Sequence, residues 1–185
     1  MLALAAELPA TAQQVIDETC WSAGKNLRWT LVEACAGHTP VVALPPFVVQ
    51  FAVRVASIVE LLQLAAVRPG DPVLLELAAT EAAALGPTVE RTVAATAADL
   101  VHGEQVFGLA CVLGGQVAGR SAPDLDVLGR FGRELGLAFQ LVTDGQRATA
   151  DEGFQRALAQ LDELSEQQAR ERIVVAIQAE WPKLR

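Results

Sequence analysis

Between Gly136 and Arg147 the chain reads GLAFQLVTDGQR, an apolar helical face running into a polar turn that carries one carboxylate, Asp144. A hard divalent cation needs several oxygen ligands, so this stretch by itself holds no metal. His38 and His102 stand apart from any HExxH or triad-like pattern and read as structural. Gly114, Gly115 and Gly119 lack the Lys and Ser/Thr of a phosphate loop and follow no strand, so helix packing or termination explains them better. No GxSxG elbow surrounds Ser22, Ser57, Ser121 or Ser165, and no carboxylate pair sits on an otherwise apolar helix. The acidic residues gather between Asp151 and Glu171, where Glu166 and Arg170 are spaced to pair across one helical turn, as on a solvated face. Cys20, Cys35 and Cys111 are odd in number and form no CxxC pair, which indicates neither a disulfide framework nor a zinc site. They read as small buried hydrophobes of a reducing, cytoplasmic protein. From residue types alone the chain shows no catalytic constellation.

The elements that carry these residues are helices. Of 185 residues 52% are apolar, 5% are aromatic and none is Tyr, a composition that suits buried helices far better than sheets. The length fits one domain over 1–185, since two cores would each fall near the lower size limit. A formal charge of -8 argues against nucleic acid, whose phosphates need clustered Lys and Arg. MLALAAELPA has no basic leader and carries Glu7, so no signal peptide is expected. The apolar run 41–67 is broken by Gln50, Arg54, Ser57, Glu60 and Gln63 at steps of three or four, one polar stripe on a helix buried on most sides rather than a transmembrane span.

Pro9 and Thr11 open a first helix over Ala12 to Cys20, SAGKNLR at Ser22 to Arg28 interrupts or re-aims it, and a second covers Leu27 to Ala36. Pro45 and Pro46 start a long helix to about Val67, and RPGDP is the clearest turn. Val73 to Leu85 is helical up to Gly86 and Pro87. A further helix from about Thr88 runs towards Gly114, with Gly103 and Gly108 as bending points. Ser121 caps a helix whose Leu128, Phe131, Leu135, Ala138 and Val142 share a face, and Gly132 and Gly136 admit a neighbouring backbone. Phe154, Leu158, Leu161 and Leu164 mark the next helix. Ser165 with Gln168 reads as a capping box for a last one bearing Ile173, Val174 and Ile177. The expectation is an all-α antiparallel bundle of about eight helices.

Three stretches, in order, resemble the trans-isoprenyl diphosphate synthase (polyprenyl synthetase) family. AGKNLRW at Ala23 to Trp29 is similar to that family's GGKRLRP segment, which helps bind isopentenyl diphosphate. VASIVELLQLA at Val55 to Ala65 resembles the helix reading ASLIHDDxxD, and FGRELGLAFQLVTDGQR at Phe131 to Arg147 is similar to YGRxLGLAFQxxDDxxD. FQRALAQLDEL and the closing helix resemble the family's C-terminal helices. The chain is much shorter than a full member, and the shortfall falls between Arg68–Gly70 and the region of Cys111. LVHGEQ, Leu100 to Gln105, corresponds either to the family's LVxGE helix or to its Lys-Thr helix. The resemblance implies an isoprenoid-synthase-like bundle.

It also implies where the chemistry has gone. Catalysis in the family ionises an allylic diphosphate, whose leaving group is held by Mg²⁺ bridged to two facing Asp-rich motifs. In the first motif the aspartate positions are Leu61, Leu62 and Ala65. In the second, which begins at Phe139 and Gln140, they are Thr143, Asp144 and Arg147. One carboxylate out of six cannot assemble the three-ion cluster, and Arg147 adds repulsion. Gly24, Lys25 and Arg28 are the remnant of a diphosphate-binding segment under this resemblance, and a helix-start turn with exposed charges without it. No catalytic residue and no metal is therefore expected in this chain. The expected role is a non-catalytic small subunit of a heteromeric prenyl diphosphate synthase, with Mg²⁺ in its catalytic partner, which it stabilises and whose product chain length it influences. The alternatives are a homodimeric, metal-independent isoprenoid-binding protein or divergent enzyme with an isoprenoid diphosphate at Lys25 and Arg28, and a structural homodimer.

Overall fold

The computed structural model describes residues 23–37, 46–68, 71–98 and 103–184, and over these the chain is all-α, without a strand. The described residues form eight α-helices: α1 Ala23–Cys35, α2 Pro46–Val67, α3 Pro72–Leu85, α4 Pro87–Ala98, α5 Glu104–Val117, α6 Ala122–Thr143, α7 Arg147–Gln160 and α8 Gln167–Glu180. Single 3₁₀ turns, Leu161–Glu163 and Trp181–Leu184, follow α7 and α8.

The boundaries follow local chemistry. Asp71 caps α3 by accepting from the Val73 N–H at 3.1 Å, with Pro72 just inside the helix, where its missing N–H costs nothing. Gly86 ends α3 at φ 108°, a conformation that side chains resist. Ser121 caps α6 by accepting from the Asp124 N–H. Asp124 is itself buried and ties the two ends of the α6–α7 unit together. Its Oδ1 accepts from the Ser165 N–H at 3.0 Å, and its Oδ2 meets the Ser165 and Ser121 hydroxyls at 2.7 and 2.9 Å.

Two contacts set the bundle. A Cβ on Gly132 would lie 2.5 Å from the Phe107 carbonyl oxygen, and one on Gly136 would lie 2.7 Å from the Glu104 Cα, so α5 and α6 touch backbone to backbone. Further along α5, a Cβ on Gly114 would sit 2.6 Å from the Val32 carbonyl oxygen, which brings α1 equally close. Around this α1–α5–α6 stack lies a core of Leu27, Leu31, Ile58, Leu113, Phe131 and Leu135, all fully buried. Interiors this dense leave little tolerance for added volume. The face expected on α6 is inside: Leu128, Phe131, Leu135 and Ala138 are buried and Val142 half-buried. Ile173 and Ile177 seat α8 in the same core, and Trp181 stacks on Phe154 with ring centroids 4.5 Å apart.

Several expectations are corrected. From Ala23 onward SAGKNLR is itself helical, so α1 reaches back past the expected start at Leu27, and Leu27 and Arg28, anchored in the core, offset the helix cost of Gly24. The single helix from Thr88 is two, α4 and α5, and α5 begins directly after Gly103, one of the expected bends. The capping box at Ser165 is absent, because the Ser165 hydroxyl is drawn to Asp124 and Glu166 takes the cap position. Glu166 pairs with Arg120, and Arg170 with Asp162, rather than with each other. The helix expected over Ala12 to Cys20, and His38 and His102, lie outside the described residues. No described helix is long and apolar enough to cross a membrane.

Candidate functional site

From Arg54 to Gln63 the polar series on α2 is buried or half-buried. Ser57 is fully buried, Glu60 is 5% exposed, and Arg54 is half-buried with its Nη1 4.0 Å from Glu81 Oε2 on α3. The series is a polar seam between helices, and its centre is an ion pair between α1 and α2. Arg28 Nε and Nη2 donate to Glu60 Oε1 and Oε2 at 2.9 and 2.8 Å, a fork-on-fork arrangement, and Arg28 is only 5% exposed. Its guanidinium carbon lies 5.6 Å from the centre of the Phe107 ring on α5. Phe107 in turn meets Phe139 on α6, with centroids 5.4 Å apart at 35°.

This chain of contacts brings together the three stretches that carry the resemblance. Arg28 comes from AGKNLRW, Glu60 from VASIVELLQLA and Phe139 from FGRELGLAFQLVTDGQR, with Phe107 as the hub. Sequence reasoning missed Glu60 as Arg28's partner and missed Phe107 altogether. Glu60 had a signal, its place in a three- and four-residue polar series on an apolar helix. Phe107 had none beyond its apolar neighbours.

The positions that the resemblance sets against the Asp-rich motifs are in two different environments. Leu61 and Leu62 are 0% exposed members of the main core, and Ala65 packs against it half-buried. Thr143, Asp144 and Arg147 are exposed at the junction of α6 and α7. Thr143 Oγ1 donates to the Gln140 carbonyl at 2.7 Å, and the Asp144 N–H donates to the same carbonyl at 2.9 Å. Asp144 thus terminates α6, and Gly145 at φ 76° turns the chain into α7. No group of three or more His, Cys, Asp or Glu placed to hold a metal occurs among the described residues. These side chains do not fit a Mg²⁺ cluster: one wall is aliphatic and packed, the other offers a single exposed carboxylate.

Comparison with protein-family models, with curated proteins and with solved structures returned no match. The family resemblance therefore stands on the quoted residues alone.

Arg28 is not the exposed charge of a helix-start turn. Its guanidinium is committed to Glu60 inside the bundle, so an incoming diphosphate would have to displace a bidentate carboxylate from a water-poor site. Gly24 and Lys25 lie in the first turn of α1, with their side chains outside the described set. A surface concavity on the described residues lies elsewhere, on α8, lined by Gln167, Arg170, Glu171, Val174 and Val175.

The periphery offers a different feature. α3 carries Leu74, Ala78, Glu81 and Ala82 inward, yet its outer face is also apolar: Val73 is 55% exposed, Leu75, Ala79 and Ala83 are exposed, and Glu76 is the only charge among them. Val67 at the end of α2 is exposed beside it in sequence. A helix that is apolar all round belongs in an interior or an interface.

Proposed function

We propose that this chain is a non-catalytic small subunit of a heteromeric trans-prenyl diphosphate synthase. The observation that carries the reading is Leu61 and Leu62, fully buried in the core where the family's first aspartates would stand. Aliphatic side chains in that place supply no ligand for Mg²⁺ and instead pack into this chain's own core. The outward apolar face of α3 supports association, since permanent interfaces resemble a core cut in half. Arg28, held by Glu60, serves in this reading as an internal strut of the bundle and not as a substrate ligand.

Affinity capture of the tagged chain from its native cell, followed by mass spectrometry, tests the reading. Recovery of a prenyl diphosphate synthase with both Asp-rich motifs intact is expected. Recovery of the chain alone, together with calorimetric binding of farnesyl diphosphate to it without Mg²⁺, would instead establish a self-contained isoprenoid-binding protein.

A further inference from the structure

Cys35 ends α1 and Cys111 lies at the middle of α5, 1% and 0% exposed respectively. The two helices meet here at their closest. The Cβ that Gly114 lacks would fall 2.8 Å from the Cys35 Cβ, and Cys111 precedes Gly114 by one turn on the same helix. The two thiols are free, and Cys35 is close enough to Cys111 to disfavour its thiolate. Burial, then the contact with Cys35, pushes the Cys111 thiol well above its usual range, so at neutral pH it stays protonated and unreactive. Cys35 is in the last turn of α1, whose end is held by the Ala36 N–H to Val32 and the Gly37 N–H to Ala34 hydrogen bonds. Terminal turns open at low free-energy cost compared with global unfolding.

We propose that Cys35 and Cys111 are a dithiol closed to a disulfide by a small peroxide, which locks α1 onto α5. When the α1 terminus opens, one thiolate attacks the peroxide O–O bond, forming a sulfenic acid and releasing hydroxide. The second thiolate attacks that sulfur, forming the S–S bond and releasing a second hydroxide. With the two thiol protons the products are one disulfide and two waters; the peroxide takes the two electrons that the sulfurs lose. The crosslink closes a loop of about 76 residues, long enough for a large entropic constraint on the unfolded chain. It also fixes the helix that carries Arg28 against the helix that carries Phe107, so oxidation sets the rigidity of the α1–α5 contact.

The test uses the full chain treated with hydrogen peroxide, quenched with N-ethylmaleimide and digested with trypsin. Cys20, Cys35 and Cys111 fall in three different peptides, 1–25, 29–54 and 92–120, so the pairing is read directly. The expected result is a covalent 29–54/92–120 pair, a maleimide-labelled Cys20 peptide, and a melting temperature raised by about 5–15 °C and restored by dithiothreitol. Cys35→Ser and Cys111→Ser should each abolish the pair and the shift. Crosslinks to Cys20, intermolecular disulfides only, or both thiols still free after a treatment that oxidises the urea-unfolded chain would overturn the proposal. The peptide map of the unmutated chain decides even where a variant fails to fold.

Discussion

Arg28→Met removes a cation from a site that keeps a buried carboxylate, and that asymmetry dominates the expected cost. Leaving Glu60 unpaired destabilises by about 3–5 kcal/mol, while the double change Arg28→Met with Glu60→Leu recovers most of the loss, because two apolar groups need no partners. Urea titrations of the three variants measure this; a double variant as unstable as the single one would show that the pair contributes more than mutual neutralisation. Asp124 gives a pH signature. Its carboxylate is held below the ordinary aspartate value of 3.8, first by the Ser165 N–H and then, against the cost of burial, by the Ser165 and Ser121 hydroxyls and Arg120. A depressed folded-state pKa stabilises fully above the unfolded value and loses that contribution as pH falls through the folded one. Asp124→Asn is therefore expected to flatten the decline in stability below about pH 4 and to lower stability at pH 7; an unchanged acid limb would contradict the clasp. At this scale the sequence was least informative. Arg28 was legible as a charged residue of interest, but its burial depends on Glu60, thirty-two residues away, and no local pattern encodes that meeting.

At the scale of elements, the glycines of α6 carry the packing. Gly132→Ala places a methyl 2.5 Å from the backbone oxygen of Phe107, which cannot swing aside as a side-chain tip would. Overpacking of this kind costs about 1–3 kcal/mol, a fall in melting temperature of about 2–12 °C. Scanning calorimetry of the variant checks it, and a melting point equal to the parent's would mean that α5 and α6 slide apart freely. The spacing of Gly132 and Gly136, the α2 span and the Ser121 cap were all readable, because each follows from residues within one or two helical turns. Ser165 shows where such reading fails: its hydroxyl had a local cap available and took a buried carboxylate instead, since tertiary hydrogen bonding to Asp124 satisfies more groups at once. The outer face of α3 makes a further prediction. Val73→Glu leaves the stability of the isolated chain within about 0.5 kcal/mol, because the side chain is 55% exposed, but is expected to weaken capture of the proposed catalytic partner. Full capture by the variant would move the interface elsewhere.

Over the described residues the molecule is a helical bundle with Leu61 and Leu62 in its core, at positions that the resemblance would assign to metal-binding aspartates. The all-α class was evident from composition, and the helix count from apolar periodicity. The candidate site was legible only as departures from the resembled motifs, Leu61, Leu62, Ala65, Thr143 and Arg147, because a sequence shows that a carboxylate is missing from a pattern but not what the residue in its place does. The central claim meets its most direct test in one assay: Mg²⁺-dependent condensation of an allylic diphosphate with isopentenyl diphosphate, run with the purified chain, with a catalytic homologue, and with both. The account predicts no turnover by the chain alone, and a raised rate or an altered product length when the two are mixed. Sustained turnover by the chain alone, or a mixture identical to the homologue, would contradict it.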